Sequence, residues 1–186
     1  MRVAYADPPY PGQSQKHYGA HPDFAGEVDH PALIERLERD FPDGWALSTG
    51  AKNLRELLLL APPDVRVLIW DKKAGTPFGD HFYWRWEPVL LKGCRRPSGY
   101  PHTLIQALPQ GFTMTFRDRP DEHVIGAKPP AFSRWLFECM GLGPDDELVD
   151  LFPGSGAVAA EWEAWRAQPS LEAAAALSSS SEEAGR

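Results

Sequence analysis

An acid, two prolines and a tyrosine follow the first apolar run of the chain, in the order Asp7, Pro8, Pro9 and Tyr10. Proline fixes its backbone and has no N–H, so the Pro8 carbonyl can face outward as an acceptor beside the Asp7 carboxylate. Tyr10 adds a flat ring on which a planar group can stack. Two acceptors and a stacking face suit a flat ring with an exocyclic amine, such as adenine or cytosine. The alternative is a proline-stiffened turn with a surface tyrosine.

A glycine loop near the other end of the chain could hold a cofactor. It runs from Asp150 through Phe152 to Gly154, Ser155 and Gly156. Glycines between a strand and a helix let the backbone approach a ligand, and the N-terminus of the helix presents free N–H groups. The third glycine of the dinucleotide fingerprint is missing, which disfavours NAD.

Strands alternate with helices along the chain, which predicts an α/β fold with a mostly parallel sheet. The predicted strands are residues 2–6, 45–49, 65–70, 82–91 and 147–151. The predicted helices begin near residues 30, 53, 130 and 157. Residues 93–111 predict a loop and residues 112–116 an edge strand. Ligands of such sheets bind beyond the carboxyl ends of the strands, where both loops are expected.

Length and composition restrict the class of protein. A chain of 186 residues can form one domain with a proper core. The apolar runs are too short to span a bilayer, and Arg2 and Asp7 interrupt any signal peptide, so we expect a cytoplasmic protein without a membrane partner. Alanine, serine and glutamate dominate residues 169–186, which predicts a disordered tail after a domain of residues 1–168.

The net charge of −7 argues against a protein that coats nucleic acid indiscriminately, but it leaves room for local basic segments. The loop of residues 11–27 and the basic segment of residues 92–119 supply the candidate nucleic-acid contacts, namely Lys16, His17, Tyr18, Arg95, Arg96 and Arg117. His17 and His21 could share a helical face as metal ligands. No acid or cysteine stands at a supporting spacing and Gly19 disfavours a helix, so no metal site is expected.

The segments "DPPY", "HVIGAKPPAFSRWLFECMG" and "DLFPGSGAV" resemble those of the amino-methyltransferases that use S-adenosylmethionine to methylate exocyclic amines in nucleic acids. Their order, with the tetrapeptide first and the glycine loop last, is similar to the branch with the β arrangement. The segment "WEPVLLKG" resembles a strand entered by an acid in the catalytic half of that family. The resemblance covers about residues 1 to 160, and it implies a Rossmann-like class I methyltransferase sheet.

The resemblance also implies roles for single residues. Asp7, Pro8 and Pro9 would form the catalytic turn that holds the target amine, and Tyr10 would stack on a base extruded from the duplex. Lys128 would lie near the carboxylate of S-adenosylmethionine. The other implied cofactor residues, around its methionine end, are Asp150, Phe152, Gly154, Ser155 and Gly156. The acid at position 7 favours adenine N6, and the tyrosine at position 10 favours DNA.

The sequence departs from the family pattern after the glycine loop. The helix that begins near residue 157 leads into the Ala/Ser tail, so two strands and the acid that binds the cofactor ribose are not predicted. We therefore expect a shortened sheet, like that of compact phage methylases, with a homo-oligomer or a partner subunit completing the pocket. The alternatives are methylation of RNA adenine, of cytosine N4 in DNA or of a protein glutamine amide, or an inactive methylase-like binding protein.

Overall fold

The computed structural model describes residues 1–9, 28–77, 83–97, 99–108 and 128–167. The strands in these ranges are β1 (Arg2–Ala6), β2 (Gly44–Ser48), β3 (Arg66–Pro77), β4 (Tyr83–Gly93), β5 (Leu104–Gln106) and β6 (Glu147–Asp150). The helices are α1 (His30–Asp40), α2 (Leu54–Leu60), α3 (Pro130–Met140) and α4 (Ala157–Arg166). None of these helices is long and apolar enough to cross a membrane.

Strand direction brings the carboxyl ends of several strands to one end of the sheet, called here the carboxyl end of the sheet. The strand order is β5-β3-β4-β2-β1-β6. β1 pairs in parallel with both β2 and β6, and β3 pairs in parallel with β5. β4 alone among these strands runs antiparallel, between β2 and β3. The carboxyl ends of β1, β2 and β6 therefore meet at the carboxyl end of the sheet. The predicted mostly parallel sheet is confirmed.

Each face of the sheet carries its own apolar core. Tyr5 and Trp70 pack on one face against Phe132 of α3, together with residues of α4. Ala6 and Leu47 pack on the other face against Leu37 of α1, together with Leu57 of α2. Successive side chains of a strand point to opposite faces, so β1 contributes to both cores. This packing fixes the ends of β1 and β6, from which the two loops emerge.

Local signals in the sequence set the ends of the helices. The Asp29 carboxylate accepts a hydrogen bond from the backbone N–H of Ala32 at 3.0 Å, and Pro31 occupies the first turn of α1. Gly141 ends α3 in the left-handed conformation, with φ of +63°. A β-carbon there would lie 2.7 Å from the Arg95 carbonyl oxygen, so only glycine fits. The predicted start of α1 and the predicted span of α3 are thus confirmed.

Two features of the sheet differ from the predictions. β3 continues to Pro77 rather than ending near Trp70, with a register shift between Asp71 and Thr76. β5 lies within residues 93–111, which were predicted to be loop. Its three residues are too few to show a strand pattern, and its pairing with β3 is what orders it. The predicted strand at 112–116 and the predicted tail at 169–186 lie outside the described residues.

β6 lies at the edge of the sheet in the described part of the chain. The described chain continues after β6 through α4 and adds no strand beyond it. The shortened Rossmann-like sheet predicted from the sequence is consistent with this topology.

Candidate active site

The Asp7 loop and the glycine loop follow the neighbouring strands β1 and β6 at the carboxyl end of the sheet. Tyr5 of β1 is paired in register with Asp150 of β6, and the Leu151 N–H donates to the Tyr5 carbonyl oxygen at 2.9 Å. Asp7 therefore emerges beside Asp150. The pKa of Asp150 is raised chiefly by burial, with a smaller contribution from the negative charge of Asp7. Two acids from opposite ends of the chain thus lie together at the carboxyl end of the sheet.

Lys128 connects Asp7 with a third acid. Its Nζ lies 2.8 Å from Asp7 Oδ2 and 3.5 Å from Glu87 Oε2. The Lys128 side chain is only 5% exposed, whereas that of Asp7 is 24% exposed. A buried ammonium needs such partners, because its charge has lost most of its hydration. The contact with Asp7 leaves that carboxylate facing partly toward solvent, where it can meet a ligand.

Aromatic rings and a second lysine complete the surroundings of this pair. The Lys128 ammonium lies 5.2 Å from the centroid of the Trp70 ring and 5.8 Å from that of Phe132, within the range of cation–π attraction. On the far side, Lys72 Nζ donates to Glu87 Oε1 at 2.9 Å. The charges therefore alternate in sign from Lys72 through Glu87 and Lys128 to Asp7.

The Asp7 carboxyl has a raised pKa because burial disfavours its charged form. The charge of Lys128 and its hydrogen bond act in the opposite direction, and the charge of Glu87 raises the pKa slightly further. A carboxylate with a raised pKa is a better proton acceptor than an exposed one. This environment suits a group that receives hydrogen bonds or a proton from a ligand.

A buried phenol lies directly beneath the acids. The Tyr5 hydroxyl and Ser48 Oγ are 2.9 Å apart, in a buried contact between β1 and β2. Burial, and next the charge of Asp7, hold the pKa of Tyr5 well above its usual value, so the phenol stays neutral. Tyr5 and Ser48 lie within apolar runs of the sequence, where no local motif marks them as site residues. Their position at the ends of β1 and β2 was the available signal.

The glycine loop presents backbone to an open space. Gly154 and Gly156 have φ of +48° and +73°, in the left-handed region that favours glycine. A β-carbon added at Gly156 would meet no atom within 4 Å. Phe152 N–H donates to Asp150 Oδ1 at 3.1 Å, which closes the turn before the glycines. The loop therefore leaves room for a ligand at the N-terminus of α4.

A separate cluster holds the base of the hairpin formed by β3 and β4. Arg85 Nε and Nη2 donate to the two oxygens of Asp71 at 2.8 and 2.6 Å, and Gln106 Nε2 donates at 2.9 Å. The Arg85 guanidinium is the main cause that lowers the pKa of Asp71 to about 2. Every oxygen of this carboxylate has partners from the fold itself, which indicates a structural role.

The remaining candidate residues are only partly placed. Tyr10, Lys16, His17, Tyr18 and Arg117 lie outside the described residues. Arg95 lies at the opposite end of the sheet, near the start of β6. Its Nη2 is 3.1 Å from Asp146 Oδ1, and its Nη1 is 3.4 Å from the Gly141 carbonyl oxygen. Arg96 follows it and is exposed. The structure thus unites Asp7, Pro8 and Lys128 with the glycine loop, but it separates Arg95 from them.

Two solved structures are similar to the chain over most of its length. The crystal structure of the M1.HpyAVI–SAM complex has a TM-score of 0.57 and 16% sequence identity, covering 89% of this chain and 78% of that one. The crystal structure of M1.HpyAVI has a TM-score of 0.56 and 12% identity, covering 88% and 76%. The likeness shows the fold. No family model and no curated protein matches the sequence significantly.

Proposed function

We propose that the chain is an S-adenosylmethionine-dependent methyltransferase that acts on the exocyclic amine of a nucleic-acid base, with adenine N6 in DNA as the target. The observation that carries this proposal is the pairing of β1 with β6, which sets the Asp7 loop beside the glycine loop. The similarity to a structure solved with SAM supports the choice of cofactor. The order of the two loops in the sequence supports a nucleic-acid base rather than a protein glutamine amide as the substrate.

The residues of the glycine loop fit the proposed cofactor. The open space in front of Gly156 and the N–H groups at the start of α4 suit the polar end of an amino acid. Asp150 can accept from an ammonium group, and Lys128 can approach a carboxylate. Bound S-adenosylmethionine supplies an electrophilic methyl group on a sulfonium, so no further activation of that carbon is required.

The Asp7 loop would orient the amine for direct transfer. The Asp7 carboxylate and the Pro8 carbonyl each accept one N–H of the amine, which turns its lone pair toward the methyl carbon. Such orientation is the main contribution that a protein can make when the electrophile is already reactive. The nitrogen becomes acidic as it is methylated, and Asp7, whose pKa burial has raised, can take its proton. A base in a duplex must be extruded to reach this site.

A second candidate function is binding of DNA or RNA without catalysis. The observation in its favour is the edge position of β6, because no further strand that ends in an acid for a cofactor ribose follows it in the described part of the chain. In the methyltransferase proposal, a second copy of the chain or a partner subunit covers this edge. Methylation of cytosine N4 or of RNA adenine would use the same acceptors, so the choice of base and of nucleic acid also belongs to the proposal.

The deciding experiment measures transfer of labelled methyl from S-adenosylmethionine to DNA and RNA oligonucleotides. We expect label on adenine N6 of DNA with the wild type, and a loss of at least about a hundredfold for Asp7→Ala, because an acceptor of the amine is removed. Asp145→Ala is the matched control, since Asp145 is an exposed acid away from the loops. No label on any nucleic acid, together with no cofactor binding by calorimetry, would contradict the proposal.

A further inference from the structure

The end of β2 carries a buried hydroxyl that none of the contacts above uses. Thr49 directly follows β2 and is 1% exposed. Its Oγ1 has no hydrogen-bond partner within the part of the chain that the structure describes. A buried polar group without a partner is costly, and folded proteins contain few of them. A ligand group that enters beside Thr49 would satisfy this hydroxyl.

The pairing of β1 with β2 places Thr49 beside the Asp7 loop. Ala6 is in register with Leu47, and Pro8 and Thr49 each follow these paired residues by two positions, at the ends of neighbouring strands. The Thr49 N–H donates to the Pro88 carbonyl oxygen at 3.1 Å, so the ladder with β4 extends to this residue. Thr49 is thus held directly after β2 at the carboxyl end of the sheet, one strand away from the loop that carries the acceptors.

Side-chain alternation separates the Thr49 hydroxyl from that of Ser48. Ser48 reaches the Tyr5 hydroxyl on the face covered by α3. Thr49 therefore belongs to the opposite face, which it shares with Leu47 and α1. The Tyr5 hydroxyl is already engaged with Ser48, so these groups do not compete for the same partner.

We infer that Thr49 determines specificity by donating a hydrogen bond to the ring nitrogen next to the target amine. The inference rests on the proposed function, in which the Pro8 carbonyl accepts from that amine. Adenine presents its amine beside N1, and cytosine presents its amine beside N3, so both offer a donor next to an acceptor. The O6–N1 edge of guanine and the O4–N3 edge of thymine present the reverse order. A carbonyl and a hydroxyl at the ends of two neighbouring strands match the first pattern.

The test combines a variant with a modified base. Thr49→Val keeps the shape of the side chain and removes the hydroxyl, and 1-deazaadenine replaces N1 with C–H. We expect kcat/KM of the wild type to fall about tenfold to a hundredfold on 1-deazaadenine, and that of Thr49→Val to fall similarly on adenine. Thr49→Val should lose nothing more on the modified base, and Thr49→Ser should retain activity. If cytosine is the substrate, 3-deazacytosine replaces 1-deazaadenine.

Ser133→Ala is the matched control, because Ser133 Oγ is also buried without a partner among the described residues but lies within α3. Its kcat/KM should not change. Equal kcat/KM for wild type and Thr49→Val would overturn the inference, and so would an equal loss on the deaza base in both proteins. Wild-type kcat/KM that is unchanged on the deaza base would overturn it even if the variant failed to fold. Absence of transfer by the wild type to any base would overturn the proposed function itself.

Discussion

At the scale of single residues, Lys128 holds the charges of the candidate site together. It lies between Asp7 and Glu87 and is almost completely buried, beneath the ring of Trp70. A buried ion pair is weak support for stability as a whole, but removal of one partner is expensive because the others remain buried and uncompensated. Lys128 therefore has a structural effect that is separate from any role toward a ligand.

Replacement of Lys128 by methionine should destabilise the fold by about 3–5 kcal/mol, because Asp7 and Glu87 would lose a shared counter-charge. Urea denaturation at pH 7 measures this change. The double variant Lys128→Met/Glu87→Gln should lose less than the sum of the single losses, since one of the stranded charges is gone. Additive losses would show that the two side chains do not act on each other.

The residues of the site differ in how far the sequence predicts them. The Asp7 turn and the glycine loop carry recognisable local chemistry, so their place at strand ends followed from the alternation of elements. The contact of Lys128 with Asp7 did not follow, because it joins distant segments of the chain. The resemblance implied a position for Lys128 near the cofactor carboxylate, and that role stays a prediction. Tyr10 lies outside the described residues.

At the scale of elements, the hairpin of β3 and β4 brings Glu87 to the site. The sequence predicted both strands but not their direction, and it ended the first near Trp70 because the apolar run ends there. Pairing with β4 carries β3 past its polar residues, and Lys73 takes a φ of +58° next to the shift in register. Nothing local in the sequence signals this irregularity, since it depends on a partner strand.

The Asp71 cluster should make the stability of the fold depend on acid. The pKa of Asp71, about 2, lies below the ordinary value of 3.8. The contribution of this carboxylate to stability is therefore present above about pH 4 and is lost as the pH falls toward 2. Asp71→Asn should lower the free energy of unfolding by about 2 kcal/mol at pH 7, because it weakens the bonds from Arg85. Denaturation at pH 7 and pH 3 measures both effects. A variant with the same acid dependence as the wild type would assign that dependence to other groups.

Two glycines allow a matched test of strain against ligand space. Gly141→Ala should be strongly destabilising, since its β-carbon would lie 2.7 Å from a backbone oxygen. Gly156→Ala should cost about 1 kcal/mol of stability, because only the positive φ is strained. Gly156→Ala should also weaken binding of S-adenosylmethionine, because the methyl side chain of the alanine enters the open space of the loop. Thermal unfolding and calorimetry separate these effects, and unchanged cofactor affinity in Gly156→Ala would place the cofactor elsewhere.

At the scale of the whole molecule, two cores on opposite faces of the sheet support its carboxyl end, which carries the Asp7 loop and the glycine loop. The class of fold could be predicted because hydrophobic periodicity and helix caps are local signals. The strand order could not, because it depends on which strands pair at long range. β5 shows this limit, since three residues acquire strand structure only through β3.

A ligand that binds only the folded chain should raise the stability of the whole domain. Under the proposed function, S-adenosylmethionine at a hundred times its Kd should add about 2.7 kcal/mol to the free energy of unfolding. The midpoint of thermal unfolding should rise accordingly with cofactor concentration, and less in Gly156→Ala at equal concentration. Adenosine triphosphate is a suitable control, because it shares the adenosine part but lacks the methionine. An equal rise with both compounds would indicate recognition of adenosine alone.

The position of β1 between β2 and β6 has a consequence for biosynthesis. β1 leaves the ribosome before the other strands described here, but its partner β6 is made after all of them. Until residues 147–150 have emerged, the nascent chain presents one bare edge of an apolar strand to its surroundings. That edge is open to pairing with a neighbouring nascent chain or to capture by a chaperone. Ribosome stalling before residue 147 should therefore favour aggregation over release of a partly folded domain.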